Sequence, residues 1–85
     1  MFLHLGGDTV ALKKEIIAIL DYKKGFSAIN KEFMEIARDE GFVEAISEEG
    51  KEKSYVITYE KIYISPISCS TLKKRSAVGF VLDGQ

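Results

Sequence analysis

The sequence has little of what builds disulfides, metal sites or membrane spans. Its 85 residues include one cysteine, one histidine and one proline, and no tryptophan. A single cysteine excludes a disulfide within the chain, and the sequence has no cysteine–histidine spacing typical of a metal site. No apolar run approaches the roughly 18 residues of a transmembrane helix. We therefore expect a cytoplasmic protein that neither binds metal nor contacts a membrane.

Groups suited to catalysis are equally scarce. His4 lies in an apolar, strand-like stretch, where a structural role is the simpler interpretation. Cys69 has no basic partner that would activate it as a nucleophile. Phosphate-binding, dinucleotide-binding and metalloprotease motifs are absent from the sequence. We expect no enzyme, no cofactor and no small-molecule substrate.

Two stretches have the pattern of β-hairpins. Gly6-Gly7-Asp8 separate the apolar residues 2–5 from 9–12, and a short polar turn joins the strands 55–58 and 62–65. The second hairpin is apolar on both faces, so both faces need cover. The run IIAIL, residues 16–20, predicts a central strand buried on both sides.

Residues 27–40 have the pattern of the one long amphipathic helix. Ser27 is suited to cap its start and Gly41 to end it, and Ile29, Phe33, Ile36 and Ala37 share an apolar face. A short helix is expected in TLKKRSA, capped by Ser68 or Ser70. The predicted fold is α+β: a small antiparallel sheet carrying one long helix and a short C-terminal helix. Residues 1–76 form this domain, and 77–85 are a C-terminal extension that could pair across subunits or form a tail.

A domain of this size buries only about 60–65% of its unfolded surface, so its stability is modest. Self-association is the most economical source of further burial. One helix covers only one face of the sheet, and a neighbouring subunit is a suitable cover for the rest. The sequence therefore predicts a homo-oligomer.

The net charge of −1 hides a segregation of charges along the chain. Acidic residues dominate 32–52, whereas lysines flank the IIAIL strand as Lys13-Lys14 and Lys23-Lys24. Two cationic ends about 20–25 Å apart follow from the length of such a strand. They suit phosphate binding, and equally suit lysines that keep an apolar strand soluble. A third interpretation is that the C-terminal cations bind the acidic helix of a neighbouring subunit.

Three short patterns occur in order along the chain. They are HLG near the N-terminus, I-x-x-I-x-D from Ile16 to Asp21, and SPISCSTLKKR from residue 65. With the stretches FLHLGGDTVALKKEIIAILD and SYVITYEKIYISPISCSTLKKR, they resemble the extracellular matrix regulator RemA/RemB family over residues 2–76. The similarity is greater to the RemB branch.

This resemblance implies a bacterial DNA-binding transcriptional regulator of extracellular matrix and biofilm genes. The RemA branch forms closed rings of about seven or eight subunits and binds duplex DNA through arginines in two loops. The loops correspond to the stretch around Lys13 and Lys14 and to EEGKEKS, where Lys51 and Lys53 are the cations and acids replace the arginines. The DNA-binding residues predicted here are Lys13, Lys14, Lys51, Lys53, Lys73, Lys74 and Arg75.

Two other functions remain open at this point. A β-rich ring could bind RNA if Tyr22, Tyr59 or Tyr63 stacks on bases. Alternatively, the acidic helix could serve a scaffold or adaptor that binds protein and no nucleic acid.

Overall fold

The computed structural model describes residues 1–24 and 31–76. A 3-10 helix, Lys13–Glu15, joins the second strand to the third. In chain order the other elements are β1 (Phe2–Gly6), β2 (Thr9–Leu12), β3 (Ile16–Asp21), α1 (Lys31–Asp39), β4 (Val43–Ala45), β5 (Ser54–Thr58), β6 (Ile62–Ser65) and α2 (Cys69–Arg75).

The strands form two sheets. β1 and β2 make a separate antiparallel hairpin, and the other four strands lie in the order β3-β5-β6-β4. Both predicted hairpins are confirmed. The sheet is mixed rather than purely antiparallel, because β4 enters after α1 and runs parallel to β6. The prediction that β3 is central was wrong: β3 is an outer strand, and Ile17 on it is half exposed.

The four-stranded sheet has an apolar cluster on each face, as its two-sided pattern predicted. Val56 belongs to the first cluster, and its neighbour Tyr55 belongs to the second. The first cluster is completed by Leu3, Leu5, Ala11, Ile16, Ile19 and Leu72. The second also contains Met34, Ala37, Ile62 and Ile64. Hence the β1–β2 hairpin and α2 cover one face of the sheet, and α1 covers the other. One chain therefore covers both faces, whereas the sequence had led us to expect a neighbouring subunit on one of them.

Helix α1 is confirmed over its described part, but it is rotated relative to the prediction. Met34 and Ala37 face the sheet, each 5% exposed, whereas Phe33 and Ile36 are more than half exposed. Gly41 follows the helix at φ +80°, the conformation expected of a glycine that ends a helix. The predicted cap Ser27 and the predicted core residue Ile29 lie outside the described residues.

A buried junction joins β1 to the end of β6. Ser65, fully buried, donates its hydroxyl proton to the carbonyl oxygen of Leu5 and accepts the Ile67 amide at 3.0 Å. Gly6 has φ +129°, and a Cβ placed there would lie 3.0 Å from Cδ of Pro66. HLG and SPIS, two of the three patterns that carry the family resemblance, therefore contact each other at this junction.

Candidate nucleic-acid interface

The hydroxyl-rich stretch before the C-terminal cations builds the start of α2. The Ser68 hydroxyl accepts the Thr71 amide at 3.2 Å and lies 2.8 Å from the Thr71 hydroxyl. Leu72, with no exposed surface, fixes the helix to the first apolar cluster. The cations fall in the last turn, where they complement the negative end of the helix. The capped helix predicted from Ser68 is thus confirmed, and Lys74 and Arg75 are exposed.

Helix α2 runs antiparallel to β3, which brings its last turn to the start of that strand. The Cys69 thiol near the helix start lies 3.5 Å from the Ile19 carbonyl oxygen. At the other end, Nζ of Lys13 donates to the Arg75 carbonyl oxygen at 3.4 Å. The predicted cations at 13–14 and at 73–75, about 60 residues apart in the sequence, are therefore adjacent in the fold. We call this set the first basic cluster: Lys13, Lys14, Lys73, Lys74 and Arg75.

A second basic cluster, Lys23, Lys51 and Lys53, lies at the opposite end of β3. These lysines line an open hollow of about 330 Å³. The Tyr22 amide donates to the Lys53 carbonyl oxygen at 3.0 Å, which ties the end of β3 to the start of β5. Lys23 was missing from the predicted set, although the bracketing of β3 by lysine pairs pointed to it.

The two lysines from the 46–53 loop differ in how freely they can bind an anion. Lys51 forms an ion pair with Glu48 at 3.1 Å, and both side chains are more than 70% exposed. Such exposed pairs are weak and screened by salt, so a phosphate can compete with Glu48. The main chain of Lys53 is fixed next to the end of β6, because the Lys53 amide donates to the Ser65 carbonyl oxygen at 2.9 Å. Its side chain is exposed.

Asp21 organises the backbone that carries Lys23. Its carboxylate accepts the amides of Lys24 at 3.0 Å and Lys23 at 2.9 Å. The hydrogen bond from the Lys24 amide is the largest cause of a pKa lower than usual for Asp21, and the Lys23 amide adds to it. The I-x-x-I-x-D pattern is now explained: Ile16 and Ile19 enter the apolar cluster and Asp21 caps the turn that follows.

The two basic clusters are separated by the length of β3. Its six residues span about 17 Å at roughly 3.3 Å per residue. Phosphates on one DNA strand recur about every 3.4 Å along the helix axis, so this distance corresponds to about five steps. This length is compatible with phosphate contacts at both clusters.

Three acidic residues lie on α1, which covers the face of the sheet opposite α2. The exposed surface of α1 carries Glu32, Glu35 and Asp39. Glu44 lies on the other face, paired with Tyr63, which packs against the first apolar cluster. Lys61 donates to Glu44 at 2.8 Å, and this hydrogen bond raises the pKa of Lys61. The charge segregation along the sequence is therefore only partly kept in the fold. Glu48 pairs with Lys51, and Glu52 lines the hollow of the second basic cluster.

Other candidate chemistry is sparse in the part of the chain that the structure describes. His4 is exposed, with Nε2 2.8 Å from the Gly7 carbonyl oxygen. Residues 1–24 and 31–76 contain no group of three His, Cys, Asp or Glu side chains placed to hold a metal ion. No helix within those ranges has the length and apolar composition to cross a membrane.

The three tyrosines considered for base stacking have different environments. Tyr22 packs against Tyr55 with ring centroids 5.0 Å apart, and Tyr63 packs against the first apolar cluster. Tyr59 is 75% exposed, but it borders the groove beside α1. No described tyrosine of the three combines high exposure with a position in a basic cluster.

Fold and charge distribution together define a small α+β domain with cations grouped at both ends of one outer strand. The chain belongs to the RemA-like family, whose model, described as "Extracellular matrix regulatory protein A-like", matches residues 2–75. It is 40% identical over 83 residues to "Extracellular matrix regulatory protein B" of Bacillus subtilis (strain 168), a match that covers 98% of this chain and 99% of that protein. The resemblance found in the sequence is confirmed.

Proposed function

We propose that this protein is a non-enzymatic, cytoplasmic DNA-binding transcriptional regulator of extracellular matrix genes. Its similarity to an extracellular matrix regulatory protein supports the regulatory role. The observation that carries DNA binding is the grouping of exposed cations at both ends of β3. The paired ends face a duplex as one surface, while the acidic side of α1 faces away from it.

The chemistry of this surface favours contacts to phosphates. Lysine supplies a point charge rather than the planar fork with which arginine recognises a guanine edge or a phosphate. Phosphate contacts fix the position of a protein on DNA and carry little sequence information. Part of the specificity then comes from the ease with which particular sequences bend along the protein.

Repetition of the surface in a homo-oligomer compensates for the weakness of each copy. Once one subunit is bound, its neighbours are held close to the same duplex, which raises their effective concentration. Two unlike strands, β3 and β4, form the outer edges of the sheet, and each pairs on one side only within the described residues. Pairing of one copy's β3 with the next copy's β4 is a head-to-tail contact, which closes into a ring when the rotation allows. A ring of about seven or eight subunits is the assembly we expect.

The test is a matched pair of lysine variants in a duplex-binding assay. Lys14→Ala removes an exposed cation of the first basic cluster, whereas Lys31→Ala removes one from α1 on the acidic side. We expect Lys14→Ala to weaken binding at least tenfold and Lys31→Ala to change it little, with the oligomer mass unchanged in both. Equal effects of the two variants would place the binding surface elsewhere.

Two alternatives are tested with the same reagents. An RNA-binding function would use the exposed Tyr59, and competition between single-stranded RNA and the duplex separates the two functions. The exposed acids of α1 favour an adaptor that binds a basic protein surface. Failure of both nucleic acids to bind would leave the adaptor as the better interpretation.

A further inference from the structure

A second open hollow lies at the end of β4, on the face of the sheet that α1 covers, and we call it the Arg38 hollow. Its volume is about 470 Å³, and sites for small molecules typically enclose roughly 300–1,000 Å³. The apolar part of its lining comes from β4 and β6, through Val43, Ala45 and Ile64. Val43 and Ile64 are also part of the packing of the second apolar cluster, so this lining rests on the core.

Side chains of opposite charge line the Arg38 hollow from two sides. Arg38 follows the buried Met34 by four residues, so both lie on the side of α1 that faces the sheet. Glu49 and Glu52 come from the loop after β4. Among the described residues, Arg38 forms no ion pair with either glutamate, although all three line the same hollow. A guanidinium and carboxylates separated in this way can each bind an ionic group of one ligand.

The loop that supplies the two carboxylates is held in place by hydrogen bonds. At its start, the Ser47 amide donates to the Ile64 carbonyl oxygen at 3.2 Å. Near its end, one carboxylate oxygen of Glu52 accepts the Gly50 amide at 3.0 Å. Glu52 is half-buried and keeps its second oxygen for a further donor. Because these groups are ordered before a ligand arrives, binding costs less conformational entropy.

The mixed charge restricts the class of ligand. A simple anion would be attracted by Arg38 and repelled by Glu49 and Glu52, and a simple cation would meet the reverse arrangement. A ligand that carries one charge of each sign satisfies both sides of the hollow, and an apolar group on the same ligand can cover Val43 and Ile64.

We propose that the Arg38 hollow binds a free amino acid with an apolar side chain. Arg38 holds the carboxylate through two parallel hydrogen bonds, which the planar guanidinium is suited to donate. Glu49 and Glu52 accept the ammonium group, and the side chain of the ligand lies on Val43 and Ile64. The ligand is bound and not converted. This inference does not depend on DNA binding.

A nuclear magnetic resonance titration of the full chain with leucine tests the proposal. We expect the amide signals of Ser47 and Glu52 to shift and to saturate. Two matched probes each lack one charged group: 4-methylpentanoate has no ammonium group, and 3-methylbutylamine has no carboxylate. We expect each to bind at least tenfold more weakly than leucine. A titration that shows no saturation up to the solubility limit of leucine, or equal binding of the three probes, would overturn the proposal.

Paired variants test which side chains hold the leucine. Arg38→Gln removes the guanidinium, whereas Lys31→Gln removes a cation from the exposed surface of the same helix. We expect leucine to bind at least tenfold more weakly to Arg38→Gln and as in the parent to Lys31→Gln. If Arg38→Gln does not fold, Glu49→Gln with Glu35→Gln as its control gives the same comparison for the ammonium group. Parent-like binding by the variant inside the hollow would show that leucine is held elsewhere and that the proposal is wrong.

Discussion

Replacement of Gly6 by alanine tests the junction between β1 and Pro66. Gly6 has φ +129°, a backbone conformation that residues with a side chain rarely adopt. The new Cβ would also lie 3.0 Å from Cδ and 3.1 Å from Cγ of Pro66, and 3.4 Å from the Ile46 side chain. The proline ring is held between the buried Ser65 and the bonded Ile67, so it has little room to move.

The expected loss of stability combines two costs. The unfavourable backbone conformation costs about 1–3 kcal/mol. Overpacking against Pro66 adds about 1–3 kcal/mol. The sum, about 2–6 kcal/mol, is a large part of the roughly 4–13 kcal/mol expected for a domain of this length. Gly6→Ala should therefore be clearly less stable than the parent at room temperature.

Urea unfolding followed by circular dichroism measures this loss. Gly50→Ala is the matched control, because Gly50 also has a positive φ, +88°, but a Cβ there would meet nothing within 4 Å. We expect the control to lose about 1 kcal/mol and Gly6→Ala to lose at least twice as much. Equal losses would refute the argument that contact with Pro66 fixes this position.

Three further predictions concern single side chains. Ser65→Ala leaves the buried Leu5 carbonyl and the Ile67 amide without their partner, and urea unfolding should show a loss of about 2–4 kcal/mol; a loss below about 0.5 kcal/mol would contradict the buried network. Leu72→Ala should cost about 2–5 kcal/mol in the same assay, because Leu72 is fully buried where α2 meets the sheet; a near-neutral effect would show that α2 is not anchored there. Asp21→Ala should lower the urea midpoint at pH 7, and the difference in midpoint between variant and parent should shrink as the pH falls below about 4. The reason is that a carboxylate with a lowered pKa stabilises the fold above its unfolded pKa and loses that contribution when it is protonated. A difference that stays constant down to pH 3 would contradict the capping role.

Local structure could be predicted because its signals lie within a few residues. The glycines at 6 and 7 adopt positive φ in the first hairpin turn, and Ser68 caps α2 three residues before the amide that it accepts. These features depend on backbone conformation and short-range hydrogen bonds, which residue type largely determines.

Features that depend on distant partners were less predictable. The apolar arc of α1 spans two adjacent stripes, Phe33 with Ile36 and Met34 with Ala37, and only contact with the sheet selects the second. The apolar run of β3 predicted burial, but pairing decides whether a strand is central or outer. The hairpin signal at the N-terminus likewise could not show that β1 and β2 leave the main sheet and cover it.

The candidate site shows the same division. Each cationic stretch was visible in the sequence, and the lysine pairs around β3 predicted two basic ends. Arg75 lies beside Lys13 because α2 runs antiparallel to β3. Lys53 lies near Lys23 because β5 pairs with β3. Neither relation has a signature in the residues themselves.

The most direct test of the central claim measures duplex binding and oligomer mass in one buffer. A labelled duplex is titrated with the full-length protein between 50 and 200 mM salt, and sedimentation gives the mass of the protein. With about 6–10 phosphates engaged across the oligomer, we predict an affinity that falls about 10³–10⁵-fold over this range. We also predict a mass several times that of the 9.5 kDa chain. A stable monomer that does not bind the duplex, or binding that ignores salt, would contradict the account.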